Sequence, residues 1–524
     1  MRHDRISAFL SDLPAGIVVF LVALPLCLGV ALASGAPLFS GLVAGIVGGT
    51  VVAVLSGSSL SVSGPAAGLT VIVLAAVQSL GSFESFLLAG SVAGALQCLL
   101  GFLGAGRIGA FVPNAVIRGM LVAIGLILII KQIPHAVGYG GDLIVDETFS
   151  PETPLSLLQE ILRAAGYLSP GASLVCLGAV VIIVGWEHLA RKGVRLARLL
   201  PGPLVAVLWG LLFDRFSESS PFEIADQHFV SLPDHESLSH LVSTLSHPDF
   251  SQWQNPDIYS VALTLAVVAS LETLISLEAV DRLDPEKRKT PPNRELKAQG
   301  VGNMTSCLLG GLPVTSVIVR SSANVHAGAK TKGSAIIHGI LLLVSVLYLV
   351  DYLNHIPLST LSAILLVTGF KLAHPSIFLD MYRRGRDQFI PFGITVSAIL
   401  VDDLLKGILI GTAVGLVFVV KSNFSSAISL TRREDNFLLR FRKDASFLNK
   451  NTLRETLERV VERGHLLIDG TSAAFIDRDI LDSLIDFEEF AKANSIKVEL
   501  RNVLGYSGAL DRRFVRHINS VLGG

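Results

Sequence analysis

The chain has 524 residues, 51% hydrophobic and only 16% charged. Soluble domains carry about 25% charged residues, so an ordinary water-soluble enzyme is excluded at the outset. Lys and Arg number 42 against 43 Asp and Glu, a net charge of -1, which offers a nucleic acid nothing to grip.

The N-terminal MRHDRISAFLSDLPAG has no small-residue cleavage site behind a short apolar core, so it reads as the start of a retained first span. No residue from Leu13 to Phe83 is charged, which is too long a stretch for one buried helix of a globular core. Apolar runs then fall near 14–34, 38–56, 66–80, 84–104, 112–131, 171–188 and 201–213. A second set falls near 258–278, 298–310, 315–327, 334–350, 358–372, 388–402 and 405–421. This predicts an all-α polytopic membrane protein of fourteen spans in two groups of seven. Several runs fall short of the ~20 residues that cross a bilayer and must end inside it against protein or water. Cys27, Cys98, Cys176 and Cys307 stand singly in these runs with no CxxC pair, which favours packing over disulfides or zinc.

The loops supply an orientation. Exits from even-numbered runs are basic: Arg107; Arg191, Lys192, Arg195 and Arg198; Lys287, Arg288, Lys289, Arg294 and Lys297; Lys330 and Lys332; Arg383, Arg384 and Arg386. Exits from odd-numbered runs are acidic, with Asp142, Asp146, Glu147 and Glu152, and later Asp226, Asp234, Glu236 and Asp249. Cytoplasmic loops carry the Lys/Arg excess, which predicts both termini in the cytoplasm. The segment 154–165 is amphipathic and is expected to lie along the outer interface.

After the membrane domain, 1–425, residues 432–524 turn charged. Strands at 437–441, 465–469 and 497–503 alternate with helical patterns at 452–463 and 479–493, the signature of a small cytoplasmic α/β domain. No nucleophile–base–acid set is evident, so an enzyme is not expected. The histidines lie mostly in loops. Four of them, His228, His235, His240 and His247, share one loop, where solvation is the commoner state and metal binding the rarer one.

Three places within the membrane domain carry chemistry. SVSGPAAGLTVIV (61–73) and GGLPVTSVIVRSSANV (310–325) both open with small residues and a proline, Pro65 and Pro313, and both are third in their group of seven. Short Gly/Pro-interrupted segments at matching places in two halves point to a transporter's binding site. Proline is tolerated in a first helical turn. A helix beginning in mid-membrane offers free N–H groups and about half a positive charge to an anion. The second place is Glu272, in VVASLETLISLEAV with Ser270, Thr273 and Ser276; Glu278 lies nearer the basic end. An acid at the centre of a span costs about 2.5–3.5 kcal/mol and normally faces a cavity. The third is Arg320, for which a structural ion pair with Glu272 is the alternative reading. An ionised Glu272 about 4 Å from a bound anion would cost about 4 kcal/mol at an effective dielectric near 20. That equals the affinity of a millimolar site. A proton, a sodium ion or Arg320 must therefore neutralise it, with Ser276 and backbone carbonyls near 315–317 as further sodium ligands.

DLPAGIVVFLVALPLCLGVALASGAPLFSGLVAG, SGPAAGLTVIV, SLETLIS and LPVTSVIVRSSAN, taken in order, resemble the SulP family of anion transporters. The resemblance implies a 7+7 inverted repeat with core and gate domains, a homodimer, and a cytoplasmic STAS domain. It implies a substrate site formed by Leu26 and Val30, by Ala66, Ala67, Gly68 and Thr70, and by Thr315, Ser316, Val317 and Arg320. Glu272 and Ser276 then form the cation-coupling site. The acid at 272 is similar to an Asp that helps bind sodium in bicarbonate-transporting members. KQIPHAVGY (131–139) is similar to members with carbonic anhydrase partners or fusions. Sodium-coupled bicarbonate uptake at the bacterial inner membrane is therefore the first expectation. Sulfate is second and dicarboxylates third, with proton coupling or an anion channel as alternatives, and no other cofactor is implied. Two positions depart from the family: Leu26 stands where a polar Gln is common, and IDRDILDSL (476–484) replaces an Asp-Ser-Ser-Gly run with Arg478 or Asp479 at the phosphoacceptor. A scaffold or dimer role fits that domain better than a phosphate switch.

Overall fold

The computed structural model describes residues 2–106, 113–139, 168–194, 196–197, 200–217, 220–233, 245–402, 404–425, 427–460 and 464–503. The chain divides into two compact units, Met1–Thr412 and Ala413–Gly524.

The first unit carries a helix at each of the fourteen expected runs. In chain order these are α1 (Arg2–Ala33), α2 (Leu38–Leu55), α3 (Ala67–Leu80), α4 (Phe83–Phe102), α5 (Asn114–Ala136), α6 (Pro170–Arg191) and α7 (Gly202–Ser217). They continue as α8 (Pro256–Leu283), α9 (Pro292–Leu308), α10 (Ile318–His326), α11 (Gly333–Tyr348), α12 (Leu358–Leu372), α13 (Arg386–Val401) and α14 (Leu404–Ser425), the last running on into the second unit. They are unequal. By length and composition α1, α2, α4, α5, α6, α8 and the stretch Leu358–Arg383 could each cross a membrane, while α3, α11 and Leu404–Val420 are shorter apolar helices.

Local chemistry sets several boundaries. Asn255 caps α8 by accepting from Asp257 N at 3.0 Å, with Pro256 at the first helical position. Gly81 ends α3 in the left-handed region at φ 76°, where a side chain would be strained. Ser82 then caps α4 through Ser85 N at 3.1 Å. Gly310, at φ 74°, closes α9 in the same way. The α9 helix begins at Pro292, well before the apolar run expected from 298. The sequence pattern missed that first turn and a half because Asn293, Arg294, Glu295 and Lys297 mask it.

Small residues let α4 and α9 approach closely, as membrane helices do. A β-carbon on Gly94 would lie 2.6 Å from Gly300 O, and one on Gly300 would lie 2.6 Å from Cys98 N. Gly48 and Gly49 of α2 occupy a π-helical turn, Gly48–Val52, against Ser63 and Gly339 respectively. Two large apolar clusters fill the unit. One gathers Val30, Ala66, Leu69, Phe86, Val116 and Val314; the other gathers Leu26, Leu28, Leu42, Ile183, Leu342 and Leu361.

The second unit contains a four-stranded sheet of β3 (Ile428–Arg433), β4 (Asn436–Phe441), β5 (His465–Asp469) and β6 (Lys497–Arg501), numbered after the two strands described below. The β3–β4 pair is antiparallel, and β4–β5 and β5–β6 are parallel. Helices α15 (Lys450–Leu457) and α16 (Arg478–Ala493) complete it around a core that includes Leu439, Leu453, Leu466 and Ile480. β3 was not expected and starts ahead of residue 432, because ISLTRR lacks a run of apolar residues. Arg478 and Asp479 open α16, with Asp477 as its cap.

Residues Arg107, Asp142, Asp146, Glu147, Glu152, Arg195, Arg198, Asp234, His235, Glu236 and His240, and the segment 154–165, lie outside the described residues.

Candidate functional site

Two three-residue strands meet in the interior of the first unit: β1 (Ser63–Pro65) and β2 (Val314–Ser316). They pair antiparallel, Ser63 with Ser316, Gly64 with Thr315 and Pro65 with Val314. Each strand runs almost directly into a helix, β1 into α3 and β2 into α10. Two helix starts therefore leave one buried ladder in opposite directions. This is the arrangement expected of matching segments in two inverted halves.

The prolines act differently from the expectation that they open the helices. Pro65 is a strand residue and Pro313 immediately precedes β2. A proline biases the residue before it towards extended backbone, which for Pro65 is Gly64 within β1 and for Pro313 is Leu312 on the approach to β2.

Side-chain hydroxyls at the ladder are used internally. Thr70 Oγ1 donates to Ala67 O at 2.8 Å, Ser316 Oγ shares a hydrogen bond with Ser61 Oγ at 2.6 Å, and Thr315 Oγ1 lies 3.4 Å from Ser316 O. Two amides are also occupied: Ser316 N donates to Thr273 Oγ1 at 3.4 Å and Val317 N to Val62 O at 3.0 Å. Thr315 and Ser316 thus support the ladder in this conformation. The donors without a partner in their own helix are the first-turn amides, Ile318, Val319 and Arg320 on α10 and Ala67 and Gly68 on α3.

Glu272 of α8 faces the start of α3. Its carboxylate lies against Gly68, whose backbone N–H is directed at it, and a β-carbon on Gly68 would stand 2.5 Å from Oε1. Oε2 is buried without a hydrogen-bond partner. Ser276, one turn further along α8, is buried as well. Val30 shares the apolar cluster of Ala66 and Leu69, with Ala67 and Val317 at its edge, whereas Leu26 belongs to the other cluster.

Arg320 and Glu272 do not pair, so the ion-pair alternative is not realised. Arg320 is 1% exposed, and its Nε and Nη1 have no hydrogen-bond partner. Its guanidinium lies against Gly64 with Cys27 and His338 as neighbours.

Four residues of the arrangement went unanticipated: Gln97 on α4 and Glu295, Gln299 and Asn303 on α9. All are buried. Asn303 Oδ1 accepts from Val314 N at 2.5 Å, and Gln299 Nε2 donates to Ser63 Oγ at 2.6 Å. A signal was present, since Glu295, Gln299 and Asn303 recur every fourth residue and share one helix face. Among the described residues no group of three or more His, Cys, Asp or Glu side chains could hold a metal ion, His228 and His247 included.

A buried ladder that gives rise to two opposed helix starts, with a carboxylate of a long span beside one of them, defines a transporter of the inverted-repeat class. Comparison with known proteins makes the assignment specific. The sulfate permease family profile matches residues 9–393, and the chain belongs to that family, known as SulP. It is 28% identical over 444 residues to the putative sulfate transporter YvdB of Bacillus subtilis, covering 84% of this chain and 79% of that one. It is 26% identical over 433 residues to the bicarbonate transporter BicA of Picosynechococcus, covering 79% and 71% respectively. The transmembrane domain of a cyanobacterial BicA superposes with a TM-score of 0.62 at 24% identity, over 78% of this chain and 97% of that one. SLC26A9 superposes with a TM-score of 0.76 at 16% identity, over 99% and 87%. The fold is the one expected from the sequence, a helical membrane domain followed by a small strand-containing C-terminal region. The chain is an anion transporter of the SulP family.

Proposed function

We propose that this protein imports bicarbonate together with sodium by alternating access, with the anion held between the starts of α3 and α10. The carrying observation is the Glu272 carboxylate lying against Gly68, the very amide an anion would use. Two negative charges cannot share that position without a cation, because their repulsion would cancel a millimolar affinity. Sodium at Glu272 and Ser276, or a proton on Glu272, removes the conflict, and that need for a cation is the physical basis of coupling. The likeness to BicA supports bicarbonate as the anion.

A second reading is sulfate, driven by protons. It is favoured by the likeness to YvdB, itself described as a putative sulfate transporter. The basic exits of the even-numbered spans support a bacterial cytoplasmic membrane with both termini inside, and the family resemblance supports a homodimer. The same resemblance supports carbonic anhydrase as a partner. A carboxylate in the path argues against a freely conducting anion channel.

The test is uptake into proteoliposomes of labelled bicarbonate and, separately, labelled sulfate, each with and without a sodium gradient and a proton gradient. Sodium-dependent bicarbonate uptake is the expected result. Sulfate uptake that follows the proton gradient establishes the second reading, and bicarbonate uptake indifferent to both gradients overturns coupling.

A further inference from the structure

One face of α9 is polar along most of its length. Glu295, Gln299 and Asn303 lie at i, i+4 and i+8, which places them in a single row on the helix. In a membrane helix such residues are costly and ordinarily serve a function. Here their partners form a connected chain that reaches both strands of the ladder and, through Gln97, the helix that bears Glu272.

At the end of α9 near the basic loops, Glu295 accepts from Ser56 Oγ at 2.5 Å, from Gly57 N at 3.2 Å and from Gln299 Nε2 at 3.2 Å. It is fully buried, and Lys332, which donates to Ser56 O, is the cation coupled to it by charge. Gln299 Nε2 also donates to Ser63 Oγ of β1 at 2.6 Å. Asn303 accepts from Val314 N of β2 at 2.5 Å, and its Nδ2 donates to Gln97 Oε1. Gln97 Nε2 in turn donates to Ser270 Oγ at 3.2 Å, two residues before Glu272 on α8. One helix face thus touches the turn ahead of β1, β1 itself, β2 and, through Gln97, the helix bearing the acid. None of these four side chains is placed against the anion position.

We propose that the Glu295–Gln299–Asn303 row of α9 is a positioning element for anion binding. It fixes the spacing of the two strands, and hence of the two helix starts, without contacting substrate. A single residue, Ala66 on one side and Val317 on the other, separates strand from helix, so a shift of either strand passes directly to the first-turn amides. Interhelical hydrogen bonds in membranes are individually modest, so losing one misplaces the ladder without unfolding the bundle. This inference rests on the anion-transport reading above.

The experiment measures KM and Vmax for labelled bicarbonate and labelled sulfate in proteoliposomes, with thermal stability of each purified variant alongside. Gln299→Met keeps the volume and removes the donor to Ser63; Ser63→Ala removes the acceptor; the double variant closes a thermodynamic cycle. Each single change is expected to raise KM about three- to twentyfold, the span of single hydrogen bonds in membrane proteins. Vmax is expected to stay within about twofold, the double variant to be no worse than the single ones, and Asn303→Asp, which keeps the acceptor for Val314 N, to retain more affinity than Asn303→Leu. KM unchanged in folded Gln299→Met or Ser63→Ala, or fully additive effects in the cycle, overturns the proposal. If Gln299→Met does not fold, Ser63→Ala and the Asn303 pair decide it. Absence of saturable uptake in the unaltered protein sinks the anion-transport reading instead, so the two failures are distinguishable.

Discussion

Gly68 is the residue that lets Glu272 reach the start of α3. Its missing side chain leaves a gap that the carboxylate fills, and a β-carbon there would stand 2.5 Å from Oε1 and 2.8 Å from Oε2. The acid is therefore held where a substrate anion is expected, and among the described residues neither Arg320 nor another cation pairs with it; its Oε2 has no hydrogen-bond partner.

From this contact Gly68→Ala is expected to displace the carboxylate from the helix start. Overpacking of this kind typically costs about 1–3 kcal/mol, which a bundle of this size survives. Uptake should fall at least about tenfold while the melting temperature drops only slightly. Measuring both on the same preparation checks it, and full activity in the alanine variant would show that the close approach has no functional weight.

For Glu272→Gln the expected outcome is loss of cation dependence. The amide keeps the shape and still accepts from Gly68, but neither binds a proton at physiological pH nor offers sodium a charged ligand. Bicarbonate flux should no longer respond to a sodium or proton gradient, with residual exchange of anion for anion retained. Gradient-driven accumulation that persists in Glu272→Gln would move the coupling site elsewhere.

Arg320 supplies a different separation of effects. It is buried with no ion-pair partner among the described residues, and a charge held out of water without a partner costs folding free energy that an apolar side chain of similar size does not. Arg320→Met is thus expected to keep or raise thermal stability while weakening anion affinity, since the field behind the ladder disappears. Equal losses of stability and affinity would instead make Arg320 a packing residue.

The C-terminal unit carries its own pH signature. Asp469 is held below the usual carboxylate range, first by the Thr471 hydroxyl at 2.6 Å, then by Thr471 N and by Arg440 Nε at 3.1 Å. A depressed folded-state pKa contributes stability above the unfolded value of about 3.9 and loses it as pH falls through the folded value. Hydrogen exchange of the sheet in the full chain should therefore be faster in Asp469→Asn at neutral pH. The difference should shrink as pH falls below the unfolded value of about 3.9 and through the lower folded value. An Asp469→Asn effect that is constant across the acid range would exclude this linkage.

Much of the molecule was legible before any coordinates. Fourteen apolar runs became fourteen helices because hydrophobic length and the absence of charge are properties of contiguous sequence, and in a bilayer they leave little choice of structure. The two Pro-containing segments were legible as matching interruptions in the two halves through their small residues and their places, whereas the strands that pair there were not. Glu272 announced itself by cost alone, an acid where acids are expensive. The first helical turn and a half of α9 and strand β3 escaped notice because neither carries an uninterrupted apolar pattern.

What sequence could not specify was who touches whom. The resemblance placed Thr315 and Ser316 in the substrate site, and the structure shows their hydroxyls bonded within the ladder, to Ser316 O and Ser61 Oγ. Arg320 was a candidate partner for Glu272, yet it points to Gly64, Cys27 and His338. The α9 row takes its meaning from its neighbours, Ser63 and Gln97 brought in from 236 and 206 residues away and Val314 from 11 residues along the chain. Hydropathy is additive along a chain, so it survives being read one residue at a time. A hydrogen bond depends on the distance and direction of two groups brought together only by packing, and that information exists nowhere but in the folded arrangement.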